Sequence, residues 1–350
     1  MPRSFTLLIP VILITVTMLE KTSVMGQVKK SSLSVEAEAH VVKTAGYVDP
    51  KKFMQPHSVW ATQTHLYVTD YTNIRNGRLL IYDNLRPGPT DEPRVIERVG
   101  GADPDTLYAP SNVVVFNNRC YLTDFGHKRL LIYDTPLPKD GDTPTVITSV
   151  GGVEPAKLNA ANGLFVTQDA LYMTDTFQHR LIVWDTPVPK DGQKAHVFQR
   201  LGGGIEPDTL KNLRSVCVVR GRCYLDDFDN HRLLMFDSPL PKDGDVPVVI
   251  KHIGGVEPNT FNGPIDIAAT DEHLLVIDFK NDRILIYDTF DLVDGLAPVG
   301  VIDCASRGNQ IRPDILRYPR DMFISDKSIY VTGFYTDRLL IFDRQEVLGN

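Results

Sequence analysis

The feature that most constrains this chain is a phrase that returns six times. LYVTDYTNIRNGRLLIYD ends at Asp83, CYLTDFGHKRLLIYD at Asp134, LYMTDTFQHRLIVWD at Asp185, CYLDDFDNHRLLMFD at Asp237, LLVIDFKNDRILIYD at Asp288 and IYVTGFYTDRLLIFD at Asp343. The closing aspartates lie 51, 51, 52, 51 and 55 residues apart, so the chain is six copies of one unit. A unit recurring at such a period is a supersecondary element that cannot bury its own apolar faces and must stack on its neighbours.

Each unit holds four short apolar or alternating runs, as in Asn112 to Phe116, Cys120 to Thr123, Arg129 to Tyr133 and Pro144 to Val150. Their Val, Ile, Tyr, Phe and Thr content predicts strands, and Asn117-Asn118, Phe125-Gly126 and Pro136 to Gly141 predict the turns between them. Six four-stranded antiparallel sheets around an axis make an all-β, six-bladed β-propeller. The chain stops shortly after the third strand of unit six, while Ala39 to Pro50 matches the fourth-strand phrase at Thr145 to Pro155. The N-terminal strand is therefore expected to complete the last blade and leave no long unpaired inner edge.

Asn230-His231-Arg232-Leu233, between Asp227 and Asp237, resembles the Asn-His-Leu signature of the NHL repeat, and the other five units are variants of it. The connections TPLPKDGDTP, TPVPKDGQ and SPLPKDGDVP, each followed by a Val/Ile-rich strand and Gly-Gly, are similar to those of exported NHL-repeat proteins. The resemblance implies a propeller over 39–350 and leaves the ligand open.

The recurrent polar pairs are Asp70 with Arg78, Asp124 with Arg129, Asp175 with Arg180, Asp227 with Arg232 and Asp278 with Arg283; unit six has Gly333 with Arg338. A pair present five times reads as an ion pair tying the second strand to the third, not as an active site. His179 and His231 belong to the same loop motif. Function is instead expected where the repeat is irregular, at the start of each inner strand. There stand His57, Ser111, Asn162, Arg214, Ile265 and Arg320, followed by Ser58, Asn112, Gly163, Ser215, Asp266 and Asp321. These positions surround one mouth of the central channel, and His57, Ser111, Asn162, Arg214, Asp266, Arg320 and Asp321 are the expected ligand-binding set. The alternative reading is a water-filled mouth whose charges neutralise one another.

Gln55-Pro56-His57-Ser58 resembles one of the three Pro-His phrases that hold the metal in the propeller lyase of peptide amidation. Asn162 and Ile265, at the corresponding positions, are not histidine. One ligand does not make a zinc site, so neither metal nor other cofactor is expected. Strictosidine-synthase-like and lactonase-like propellers are similar in fold only. Asp226, Asp227 and Asp229 could supply oxygens to Ca²⁺, but alternation points the first two to opposite faces.

Residues 1–26 read as a signal peptide: Arg3, an uncharged run from Ser4 to Leu19, and small residues suited to cleavage after Gly26. Residues 27–38 read as a linker. The run is short of the roughly 20 residues that span a bilayer, so export without a membrane anchor is expected. No Asn-x-Ser/Thr sequon occurs. In an exported chain Cys217 and Cys223 could pair across a hairpin near Arg220, or both could be small core residues. Cys120 and Cys304 fall in separate repeats, and nothing in the sequence brings them together. The net charge of -7 argues against nucleic acid. The chain thus reads as a monomeric extracellular binding or scaffold protein for a protein, peptide or glycan. The alternative is a lyase or hydrolase acting through Arg214, Arg320, Asp266 and His57.

Overall fold

A computed structural model describes residues 39–43, 53–73, 76–88, 90–303 and 317–349. The signal-peptide and linker segments and Cys304 lie outside the described residues. Six sheets of four antiparallel strands form. The first strands, such as Pro56–Ala61 and Pro110–Phe116, each contact the first strand of the blades before and after, in a cycle running from blade one to blade six and back to one. They are therefore the inner strands, and the fold is the expected β-propeller. Ala39–Lys43 pairs antiparallel with Arg338–Asp343, from Ala39 opposite Phe342 to Lys43 opposite Arg338, and supplies the fourth strand of blade six.

Period-two alternation sends successive side chains of a strand into opposite seams. Tyr67 packs between blades one and two, against Cys120 and Leu131. Its neighbour Val68 packs between blades six and one, against Tyr330 and Ile341. The buried apolar residues accordingly form six clusters, one per seam.

The same alternation corrects the expected Cys217–Cys223 bridge. In the register Cys217 stands opposite Tyr224 and Val218 opposite Cys223, so the two thiols point to opposite faces of the sheet. Cys217 is buried in the seam of blades four and five, Cys223 in that of three and four, and both are free. Each is a small core residue.

The recurrent Asp-Arg pairs are frame. The Arg-to-Asp contacts run from 2.7 to 2.9 Å and both partners are buried in all five blades. The second carboxylate oxygen accepts backbone N–H groups just before the inner strand, as from Tyr108, Asn159 and Lys211. The guanidinium also donates to carbonyls following the preceding blade's outer strand, such as Pro155 and Pro207. In blades two to six the residue before the repeat arginine is left-handed: Lys128, His179, His231, Asp282 and Asp337 have φ between 51 and 56°. His179 and His231 are thus turn residues of the frame.

The PKDG connections, and Leu292-Val293-Asp294-Gly295 at the same place in blade five, lock the seams. Asp140, Asp191, Asp243 and Asp294 each accept two consecutive backbone N–H groups beyond the outer strand of the blade before. The Gly-Gly phrase lets the chains approach: Gly202 donates to the Asp245 carbonyl, and Gly244 donates to that of Arg200.

Candidate functional site: the mouth of the central channel

Inner strands converge on the axis, so their first residues must satisfy backbone and side-chain polarity with little water. They do so by a belt of hydrogen bonds from blade to blade. His57 meets the Ser111 carbonyl (2.6 Å), Ser111 donates to Ala161 (3.1 Å), and Thr176 donates to Leu213 (2.7 Å). Ser215 donates to Asp266 (2.7 Å), Asp266 accepts from Met322 N–H (2.8 Å), and Asp321 accepts from Val59 N–H (2.8 Å). Asn162 donates to Thr176 within its own blade (3.1 Å). Ser111, Asn162, Asp266 and Asp321 are therefore buried members of the belt, and of the four Asp266 and Asp321 also line the channel. The channel past them, about 220 Å³, is lined by Ser58, Asn112, Ser215, Asp266 and Asp321, then by Trp60, Phe165 and Phe323.

Burial, above all, pushes the Asp266 carboxyl up to about 6. Burial followed by the Asp266 charge holds Asp321 well above the usual carboxylate range. A carboxyl whose pKa rises on folding keeps its proton better in the folded chain than in the unfolded one. Its contribution to stability is full below the unfolded value near 4 and is lost as pH rises through 6. For Asp266 that is on the order of 3 kcal/mol. Asp266→Asn is expected to reduce the fall in stability between about pH 4 and 6, leaving the share of the raised Asp321 carboxyl, as measured by urea unfolding across the range. An unchanged slope would assign the dependence elsewhere.

The remaining three predicted residues converge. His57 Nδ1 lies on the Ser111 carbonyl, so that nitrogen carries the proton, and Nε2 accepts from Nε and Nη2 of Arg320 at 2.9 and 2.6 Å. Burial first, then the Arg320 and Arg214 charges, keeps the imidazole neutral, well below its ordinary value. Both nitrogens are engaged, so the Pro-His phrase joins the belt to Arg320. Arg214 sits over the Phe228 ring (4.7 Å to centroid) and Arg320 over Phe334 (5.2 Å).

The aromatic residues here were not singled out as a site from sequence. Tyr71, Phe125, Phe228, Phe279 and Phe334 directly follow Asp70, Asp124, Asp227, Asp278 and Gly333, and blade three places Phe177 one residue later. Phe228, Phe279, Tyr318, Tyr335, Phe334 and Tyr71 form a connected arc of rings with centroids 4.8 to 6.1 Å apart. Tyr71 stacks on His57 (4.9 Å) and also borders a cleft of about 730 Å³ with Met54, Tyr108, Phe125 and Phe177. The repeated Asp-aromatic dipeptide carried this signal.

The acidic triplet disperses. Asp226 accepts from the N–H groups of Arg214 and Ser215, Asp227 pairs with Arg232, and Asp229 is bonded to Asn212. Among the described residues no group of three or more His, Cys, Asp or Glu is arranged to hold a metal ion.

No family model and no curated protein matches this chain. Solved structures do. A Bacteroides uniformis protein named as a 6-phosphogluconolactonase is 16% identical, with 82% of this chain and 80% of that one covered and a TM-score of 0.51. A catalytically inactive virginiamycin B lyase from Staphylococcus aureus, solved with quinupristin, is 9% identical, with 88% and 99% covered and a TM-score of 0.53. Likeness at these identities is likeness of fold.

Proposed function

We propose that this chain is an exported NHL-repeat propeller that acts as an extracellular binding or scaffold protein, taking a protein, peptide or glycan at the channel mouth. One observation carries the reading. The frame absorbs the recurrent acids and bases, whereas Arg214 and Arg320 stand in an aromatic arc without an ion-pair partner among the described residues. No described helix is long and apolar enough to cross a membrane. The alternative lyase or hydrolase would keep the His57–Arg320 contact, but its Asp266 is bonded to Ser215 and Met322.

The full chain, expressed in a secretory host, is expected in the medium with Gln27 as its first residue. Retention in the cell with Met1 intact would refute export. Arrayed peptides and glycans should yield ligands that the Arg214→Ala/Arg320→Ala double variant loses. Ligands bound equally by that variant would place the site elsewhere, and turnover of a ligand by the wild type would favour the enzyme.

A further inference from the structure

A guanidinium taken from water needs a partner, since a buried unpaired charge costs several kcal/mol. The fold meets this need with an aspartate for Arg78, Arg129, Arg180, Arg232 and Arg283. At the channel mouth Arg214 and Arg320, both partly buried, have no ion-pair partner among the described residues. Arg214 Nε is buried and has no hydrogen-bond partner among the described residues, and the guanidinium lies over the Phe228 ring. Arg320 donates to one neutral imidazole and stacks on Phe334. Stacking holds a guanidinium by its face and leaves its edge N–H groups available. The two cations share one aromatic arc: Arg320 bonds to His57, which stacks on Tyr71, and lies over Phe334, while Arg214 lies over Phe228 at the other end.

We propose that Arg214 and Arg320 together form a carboxylate-binding site whose ligand carries an apolar or aromatic body that runs past Tyr71 into the cleft of Met54, Tyr108, Phe125 and Phe177. This deepens the binding function proposed above and rests on it. Planar N–H forks match the two oxygens of a carboxylate. The cleft walls supply rings and a thioether, which favour an apolar body over a fully polar one. Burial, followed by the Arg214 charge, lowers Arg320 to about 9, so it remains charged at neutral pH and an anion between the two would relieve the repulsion. The carboxylate can come from a peptide C-terminus or from a small free acid.

The test is calorimetric titration of the full chain with N-acetylphenylalanine, with a hexapeptide ending in phenylalanine, with the amide of each, and with inorganic phosphate. The acids should bind at least about tenfold tighter than the amides, as loss of a charge-assisted hydrogen bond requires. Arg214→Gln and Arg320→Gln should erase that difference, and Phe177→Ala should weaken acid and amide alike. Tighter binding of the peptide acid assigns a peptide terminus; equal binding of both acids assigns a small molecule. Equal binding of acid and amide by the wild type, a comparison that needs no variant to fold, overturns the carboxylate. So does phosphate binding as tightly as the acids. Arginine-dependent ligands on the arrays would then leave the binding function standing, whereas their absence too would remove both.

Discussion

Asp227→Ala is expected to destabilise the propeller by roughly 3–5 kcal/mol, the cost of leaving one partner of a buried ion pair alone. Arg232 is fully buried, and its Nε lies 2.7 Å from Asp227. Alanine would strand that charge and also release the Lys211 N–H and the Asn230 amide, which Asp227 accepts. The companion variant Asp227→Ala/Arg232→Met removes both charges and is expected to recover part of the loss, because an apolar pair of similar volume can replace a buried salt bridge at little cost. Urea unfolding of the two variants measures this. A single variant as stable as wild type would show that the repeated pair contributes nothing.

Gly202→Ala should cost about 3 kcal/mol, the upper end of what overpacking exacts, because the obstacle is backbone. A methyl at Gly202 would lie 1.8 Å from the Gly244 carbonyl oxygen and 2.7 Å from its carbon. Those atoms belong to the loop that Gly202 itself bonds through Asp245, so relief requires opening the seam of blades three and four. Gly88→Ala, whose nearest neighbour would be the Asp91 carboxylate at 3.9 Å, is the control and should change stability by less than about 0.5 kcal/mol. Equal melting temperatures for the two would show the seam to be plastic.

The blades were legible because their signals are local and repeat. Strand composition, turn residues and the Asp-Arg pair recur at one period, and the N-terminal phrase that matches a fourth strand pairs in blade six as expected. The cysteine bridge was misread for want of register. Five residues separate Cys217 from Cys223, which suggests a hairpin pair, but a one-residue offset of the partners reverses the face. The Gly-Gly phrase was visible without its reason, since each glycine answers to a loop in the next blade, about forty residues away.

At the mouth, the inner-strand positions named the right neighbourhood but not the division of labour within it. Sequence by itself determined the number of blades, the closure of the ring and the scaffold role of the repeated ion pair, because each follows from periodicity and residue type. Only the tertiary structure decided that Asp266 and Asp321 join the belt while Arg214 and Arg320 make no ion pair among the described residues. Partners for these groups come from other blades, as Asp321 shows by accepting from Val59 N–H across the closure of the ring. No spacing along the chain encodes a contact that exists only when six sheets meet at one axis.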